Sequence, residues 1–87
     1  TIKPIIKKMY RILSRICHPD KNKKYKDGII FTRIKDCYDE QMLIGMINFA
    51  LQFDIDLDYL ELNEKMVNYL IIEMKKLINK ILNKSMN

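Results

Sequence analysis

The N-terminal part of the chain carries an apolar stripe of helical period. Apolar residues recur at intervals of three and four positions, at Ile5, Ile6, Met9, Leu13, Ile16 and Cys17. This spacing predicts a helix with one buried face, in which Pro4 occupies the first turn and Thr1 or Ile2 lies just outside. The helix should end before Pro19, because proline removes a backbone donor and disfavours helical geometry in the residue before it.

Residues 18–28 are polar and lysine-rich and end in the turn formers Asp27 and Gly28, so they are predicted to form a solvated loop. A second helix should begin near Gly28 and face the first. It carries an apolar stripe at Ile30, Phe31, Ile34, Cys37 and Tyr38. The helical pattern continues to about Phe53, and the sequence leaves open a break around residues 39–41.

The C-terminal third of the chain predicts one long helix after an acidic connector at residues 54–58. It should begin at about Leu60 or Glu64, with a capping pair Asp58 and Glu61 or a cap at Asn63, and it should end near Asn83. Its apolar stripe comprises Met66, Val67, Leu70, Ile71, Met74, Leu77, Ile78, Ile81 and Leu82. We expect the helix at residues 42–53 to bury this stripe as an antiparallel hairpin, with a coiled-coil dimer or a membrane-surface helix as the alternatives.

Composition supports a single all-α domain. The chain has 87 residues with two glycines and two prolines, which leaves little material for tight hairpins. Its net charge of +5 is unevenly distributed. Residues 1–38 hold eleven Lys or Arg and three Asp or Glu, whereas residues 39–64 hold seven acids and no base. The basic N-terminal part predicts a surface for an acidic partner, which leaves a protein and a nucleic acid as candidates.

The two cysteines indicate an intracellular, reducing setting, because their spacing does not resemble a secreted disulfide scaffold. No apolar run is long enough to span a membrane, so we expect a cytoplasmic protein without a membrane partner. A zinc site formed by Cys17, His18 and Cys37 would have only three ligands, and adjacent Cys and His chelate poorly at a helix end. A Cys–His catalytic pair is disfavoured as well, because sequence neighbours on a helix point in different directions. We therefore predict no metal, no cofactor and no enzymatic activity.

One run of residues is more specific. The segment from Lys7 to Asn22 reads KKMYRILSRICHPDKN, a basic helix followed by His18, Pro19 and Asp20. It resembles the second helix and loop of J-domain cochaperones, whose hallmark is a His-Pro-Asp tripeptide in this position. Phe31, Ile34, Cys37 and Tyr38 resemble the third-helix pattern of the same family, so the match covers about residues 6–42. The rest of the chain is similar, in pattern only, to a family variant that carries a C-terminal helical hairpin.

The resemblance implies a fold, a partner and a set of contacts. The fold would be all-α: a J-domain-like antiparallel helix pair joined by the His-Pro-Asp loop in residues 1–41, and a hairpin in residues 42–87 packed on it as one compact unit. The partner would be a seventy-kilodalton heat-shock chaperone of the DnaK type, whose ATPase the domain stimulates and whose arginine pairs with Asp20. A monomer is expected ahead of a coiled-coil dimer. The partner-binding residues would be His18, Pro19 and Asp20 together with Lys7, Lys8, Tyr10, Arg11, Arg15, Asn22 and Phe31.

The chain also departs from the family pattern. Ile12 and Ile16 stand at positions that are usually basic, and Arg15 stands where an apolar residue is common. The family's first helix has no counterpart before Ile6; either it lies upstream of the given sequence, or the C-terminal helix covers the groove that it would fill. Two other functions therefore stay open: a J-like interaction scaffold without ATPase stimulation, and a basic helical domain that binds nucleic acid. The acidic block and the lack of a recognisable reading motif count against nucleic acid.

Overall fold

The structure is a computed structural model that describes residues 2–58 and 63–85. These residues form four α-helices and one short 3-10 helix, and they contain no β-strand, which confirms the all-α prediction for this part of the chain. The helices are α1 (Ile2–Cys17), α2 (Ile29–Asp39), α3 (Leu43–Gln52) and α4 (Glu64–Ser85). The 3-10 helix spans Lys23–Tyr25, between α1 and α2.

Helix α1 buries one stripe and exposes the opposite face. Its buried side chains are Ile6, Met9, Leu13 and Cys17, all of them predicted core positions. The helix begins at Ile2 rather than after it, so Pro4 lies inside the first turn, where its missing N–H costs no helical hydrogen bond. Thr1 lies outside the described residues. The helix ends at Cys17, two residues before Pro19, as the sequence predicts.

Helix α3 completes the core, because it packs against both α1 and α2. Its side chains Leu43, Met46 and Ala50 are buried together with Ile34 of α2. Gly45 permits this close approach of α3 to α2, since a Cβ atom there would lie 2.8 Å from Cys37 Sγ. Helix α4 packs mainly against α3.

A sharp turn separates α2 from α3, so the helix is interrupted at residues 40–42, close to the break that the sequence left open. Gln41 adopts the left-handed conformation with φ of 55°. The N–H of Met42 donates to the Cys37 carbonyl at 2.8 Å, and the N–H of Gln41 donates to the Tyr38 carbonyl at 3.0 Å. This pair of bonds is the Schellman arrangement, which satisfies the last carbonyls of a helix and turns the chain away.

The acidic connector starts with the same arrangement. Asp54 has φ of 58°, the N–H of Ile55 donates to the Ala50 carbonyl at 2.9 Å, and the N–H of Asp54 donates to the Leu51 carbonyl at 3.2 Å. Ile55 is half-buried and packs against the core, which fixes the direction in which the chain leaves α3. Both helix ends thus use a non-glycine residue where glycine is usual.

Helix α4 begins at Glu64, and its cap is the predicted Asn63. The Asn63 Oδ1 atom accepts a hydrogen bond from the Met66 N–H at 2.9 Å, the pattern of an N-cap side chain. The alternative start at Leu60 and the alternative capping residue Glu61 lie outside the described residues. The helix reaches Ser85, two residues past the predicted end.

The expectation that α3 buries the apolar stripe of α4 is correct only for part of the stripe. Met66 is buried and Leu70 packs against the core, whereas Val67, Ile71, Met74, Ile78, Ile81 and Leu82 are 41–64% exposed. Val67 and Ile71 lie in the first half of α4 but on a different face from Met66. The later residues are exposed because of length: α3 has 10 residues and α4 has 22. At 1.5 Å per residue these helices are about 15 Å and about 33 Å long, so α3 cannot cover the second half of α4.

Candidate partner-binding site

The His-Pro-Asp tripeptide forms a tight turn at the C-terminal end of α1. The His18 carbonyl accepts hydrogen bonds from the N–H groups of Lys21 and Asn22, at 3.1 and 3.0 Å. Within the turn, the Asp20 N–H donates to His18 Nδ1 at 3.2 Å, so a neutral imidazole carries its proton on Nε2. The Asp20 side chain is 91% exposed and lies 4.0 Å from His18 Nδ1 at its nearest oxygen. The turn therefore holds the imidazole and leaves the carboxylate free to meet another molecule.

The first turn of α2 packs against this turn. The His18 ring meets the Phe31 ring edge to face, with 5.3 Å between ring centroids and an interplanar angle of 67°. Gly28, the N-cap residue of α2, has φ of 73°, and a Cβ atom added there would lie 3.8 Å from Pro19 Cγ, at ordinary van der Waals distance. The ring contact between His18 and Phe31 thus holds the turn to α2.

Asn22 ties the loop to α1 and to the short 3-10 helix. Its Nδ2 atom donates to the Ile16 carbonyl at 3.1 Å, and its Oδ1 atom accepts from the Lys24 N–H at 3.1 Å. Both ends of the amide are therefore engaged within the chain. The structure gives Asn22 a role in shaping the loop, and its predicted contact with a partner stays a prediction.

The predicted polar loop is more ordered than its composition suggests. Tyr25 packs against the core, and its ring meets Phe53 edge to face at 5.8 Å. One aromatic residue among lysines therefore anchors residues 23–25 to the end of α3. The prediction of a solvated loop at residues 18–28 is therefore wrong for the Tyr25 side chain.

The basic side chains of α1 lie on the face opposite its buried stripe. Lys7, Arg11 and Arg15 are exposed and follow one another at intervals of four residues, which places them on one side of a helix. Lys8 is also exposed and lies beside this row. Lys3, which was not among the predicted site residues, is exposed one turn before Lys7, and the same spacing of four identifies it. We call Lys3, Lys7, Arg11 and Arg15 the basic row.

Tyr10 lies to one side of the basic row. Its ring stacks on Tyr38 of α2, with ring centroids 4.3 Å apart and planes 17° apart. Tyr10 also accepts, through its backbone carbonyl, a hydrogen bond from the Ser14 hydroxyl one turn later. This stack joins α1 to α2. Tyr10 therefore packs within the fold, as Phe31 does against His18. The predicted contact of both residues with a partner stays a prediction.

Both cysteines are free thiols. The Cys17 thiol donates to the Leu13 carbonyl at 3.1 Å, and burial raises its pKa above the ordinary value. Burial also raises the pKa of Cys37, and the negative charges of Glu40, Glu73 and Asp36 raise it further. Because the thiolate is the nucleophile, these shifts make both side chains less reactive at neutral pH.

The part of the chain that the structure describes gives no sign of a metal or membrane-spanning element. It contains no cluster of three or more His, Cys, Asp or Glu side chains that could bind a metal ion. None of its helices is long and apolar enough to cross a bilayer.

Comparison with known proteins adds no identification. No protein-family model matches the chain, and neither a curated protein nor a solved structure matches it. The functional interpretation therefore depends on the residues and their geometry alone.

Proposed function

We propose that this protein is a J-domain-like cochaperone that docks on a seventy-kilodalton heat-shock chaperone and stimulates that partner's ATPase. In this proposal the protein is not itself an enzyme and needs no metal or cofactor. The observation that carries the proposal is the combination of an exposed Asp20, in a turn that α2 supports, with a basic row that leads along α1 toward it.

The basic row suits the first stage of docking. Four cations at intervals of one helical turn form a continuous positive face, and such a face steers a negatively charged surface into place and orients it. The row is exposed on the outer side of α1, so a partner can reach it without any change in the fold. Lys8, beside the row, would add to the same field.

Asp20 suits the second stage. A carboxylate that pairs with an arginine of the partner gains most when its position is fixed beforehand, because less side-chain and loop freedom is then lost on binding. The ring contact of His18 with Phe31 and the hydrogen bonds that the His18 carbonyl accepts hold the turn that carries Asp20. His18 and Pro19 would therefore act mainly by positioning Asp20, and Asn22 would act by shaping the loop.

The direct test is single-turnover ATP hydrolysis by a purified chaperone of this class, with this protein at increasing concentration. Asp20→Asn keeps the size of the side chain and removes its charge, and it should abolish the stimulation. Asp58→Asn removes one exposed negative charge from the connector after α3 and should leave the stimulation unchanged. Charge reversal of Lys7 and Arg11 should raise the concentration needed for half-maximal stimulation, more strongly at low salt than at high salt.

Nucleic-acid binding is the second candidate, because the same basic row would also attract a phosphate backbone. The two candidates differ in their response to Asp20→Asn. Removal of a negative charge should leave nucleic-acid affinity equal or slightly higher, whereas the affinity itself should fall steeply with salt. A folded protein that binds neither a chaperone nor a duplex would support the third interpretation, an interaction scaffold without ATPase stimulation.

A further inference from the structure

Helix α4 exposes, along most of its length, a set of large apolar side chains that the core does not use. Val67, Ile71, Met74, Ile78 and Leu82 are between 41% and 53% exposed. We call these five residues the α4 stripe. They are spaced by four, three, four and four positions, so they follow one side of the helix for about four turns. A row of this length is more than the scattered apolar residues that any surface carries.

Residues 74–84 of α4 have separate apolar and polar faces. At 3.6 residues per turn, the five apolar side chains of this segment fall within an arc of about 140°. The remaining side chains are all lysine or asparagine and occupy the rest of the circumference. Lys75 and Lys84 lie at the two edges of the apolar arc, where long side chains can extend past an apolar surface and keep their charges in a polar layer.

The folded body does not block the α4 stripe. The fully buried side chains of α4 are Met66 and Glu73, which are 0% and 8% exposed, and Tyr69 and Leu70 also pack against the core. The mean direction of these four side chains differs from that of the stripe by about 130° around the helix axis. A flat surface that meets the stripe would therefore be turned away from the body of the protein, and no part of the core would have to open.

Charge and length indicate what would cover the stripe. Residues 74–87 contain four lysines and no acidic residue. A second copy of the chain would bring like charges together with no acids to pair with them. The stripe also spans only about two heptads, whereas a sustained coiled coil needs about three or four. An anionic lipid surface, in contrast, complements Lys75 and Lys84 at the edges of the apolar arc and needs no partner stripe.

We infer that α4 is a peripheral binding element for anionic lipid bilayers, which it meets with the α4 stripe facing the acyl boundary and with Lys75 and Lys84 among the headgroups. Such binding needs no membrane-spanning helix. It modifies the expectation that the protein has no membrane partner, which rested on the absence of a span and on burial of the stripe. The inference does not depend on the proposed cochaperone function.

The test is co-flotation of the full chain with vesicles of phosphatidylcholine alone and with vesicles that contain about one third phosphatidylserine. Binding should occur only with phosphatidylserine and should weaken as salt is raised. Lys75→Gln with Lys84→Gln should weaken it about 25-fold, at about fivefold for each charge. Met74→Ser with Ile78→Ser should weaken it by at least tenfold, because these side chains would lose their apolar burial.

Matched control variants distinguish binding through the α4 stripe from nonspecific binding of the protein to vesicles. Lys26→Gln with Lys35→Gln changes the net charge equally at exposed positions elsewhere, and Leu51→Ser removes an apolar side chain that is 64% exposed on α3. Both controls should bind vesicles like the wild type. Lys7→Gln with Arg11→Gln should also retain binding, since the basic row is not the proposed contact.

Several results would overturn the inference. One is no binding to phosphatidylserine vesicles, and another is binding that the α4 variants leave unchanged or that the Lys7 and Arg11 variant abolishes. A dimer that Met74→Ser with Ile78→Ser dissociates in sedimentation velocity, without vesicle binding, would assign the stripe to a second copy. Binding of an acidic amphipathic peptide, again without vesicle binding, would assign it to a partner helix.

Discussion

The buried carboxylate of Glu73 gives the sharpest prediction about how this fold is held together. Glu73 is 8% exposed, and its two oxygens accept the Ile44 N–H at 3.1 and 3.0 Å. Ile44 is the second residue of α3, and the N-cap residue Met42 offers no side-chain cap. Glu73 of α4 therefore accepts a hydrogen bond from a free N–H group in the first turn of α3, which a Ser or Asp at the N-cap position of a helix normally does.

The magnitude follows from two contributions. Loss of an N-cap acceptor costs about 1 kcal/mol, and loss of a negative charge at a helix N-terminus costs about 0.3 to 1 kcal/mol. Glu73→Ala removes both and should destabilise the protein by about 2 kcal/mol. Glu73→Gln keeps an oxygen acceptor and should cost about 1 kcal/mol or less, mostly through the lost charge. For a domain of this size, 1 kcal/mol corresponds to about 4 to 8 °C in Tm.

Urea denaturation and thermal unfolding followed by circular dichroism measure these changes. A rescue experiment tests the cause: Met42→Asp puts a local cap at the start of α3. In the Glu73→Ala background it should recover about 1 kcal/mol. In the wild type it should be neutral or unfavourable, because two carboxylates would then compete for one helix end. Equal effects of Met42→Asp in both backgrounds would refute the capping role of Glu73, and so would a Glu73→Ala variant as stable as the wild type.

Three further predictions concern the packing of α3, its C-terminal end and the response to pH. Gly45→Ala should destabilise the protein, because its Cβ would lie 2.8 Å from Cys37 Sγ, and a urea titration should find the effect smaller or reversed in a Cys37→Ala background. Asp54→Gly should raise the free energy of unfolding by about 1 kcal/mol, because Asp54 has φ of 58° and its charge opposes the dipole at the end of α3; a lower Tm would contradict this. Burial raises the pKa of Cys17, Cys37 and Tyr69, and Glu73 adds to the shift of Tyr69. The folded state then retains protons that the unfolded chain loses, so the contribution of these three groups to stability should be constant below about pH 9 and should fall above it, and chemical denaturation at pH 8 and 10 checks the sign.

The sequence predicts best those helix ends whose signals are local. Pro19 ends α1, Gly28 precedes α2 and Asn63 caps α4, and each acts on residues within three positions of itself. The core stripes of α1 and α2 were predictable for the same reason, because a period of three and four residues reports burial within a single helix.

Several features of the fold could not be predicted from the sequence. The break after α2 uses Gln41 in a conformation that usually selects glycine, so composition gives no warning. The cap of α3 comes from Glu73, which is 29 positions from Ile44. Exposure of the second half of α4 follows from the relative lengths of α3 and α4, and the pattern of apolar residues alone contains no information about that difference.

Some features of the candidate site were likewise predictable from the sequence, and others were not. The sequence identifies His18, Pro19 and Asp20 by their resemblance to a known motif, and their turn at the end of α1 agrees with the predicted helix boundary. It does not reveal that Phe31 supports His18, or that Asn22 holds the carbonyl of Ile16, because these contacts depend on how the loop folds back on both helices. Exposure of Asp20 is likewise a property of the folded turn.

We propose that the exposed Asp20 carboxylate, on its turn next to the basic row, engages and activates a chaperone ATPase. The decisive measurement is single-turnover ATP hydrolysis by a seventy-kilodalton heat-shock chaperone, with wild-type protein, Asp20→Asn and Asp58→Asn compared at equal concentrations. We expect stimulation that saturates with the wild type and Asp58→Asn and disappears with Asp20→Asn. Stimulation that survives in Asp20→Asn, or its absence with a wild-type protein whose helical circular dichroism shows it to be folded, would rule out this role of Asp20.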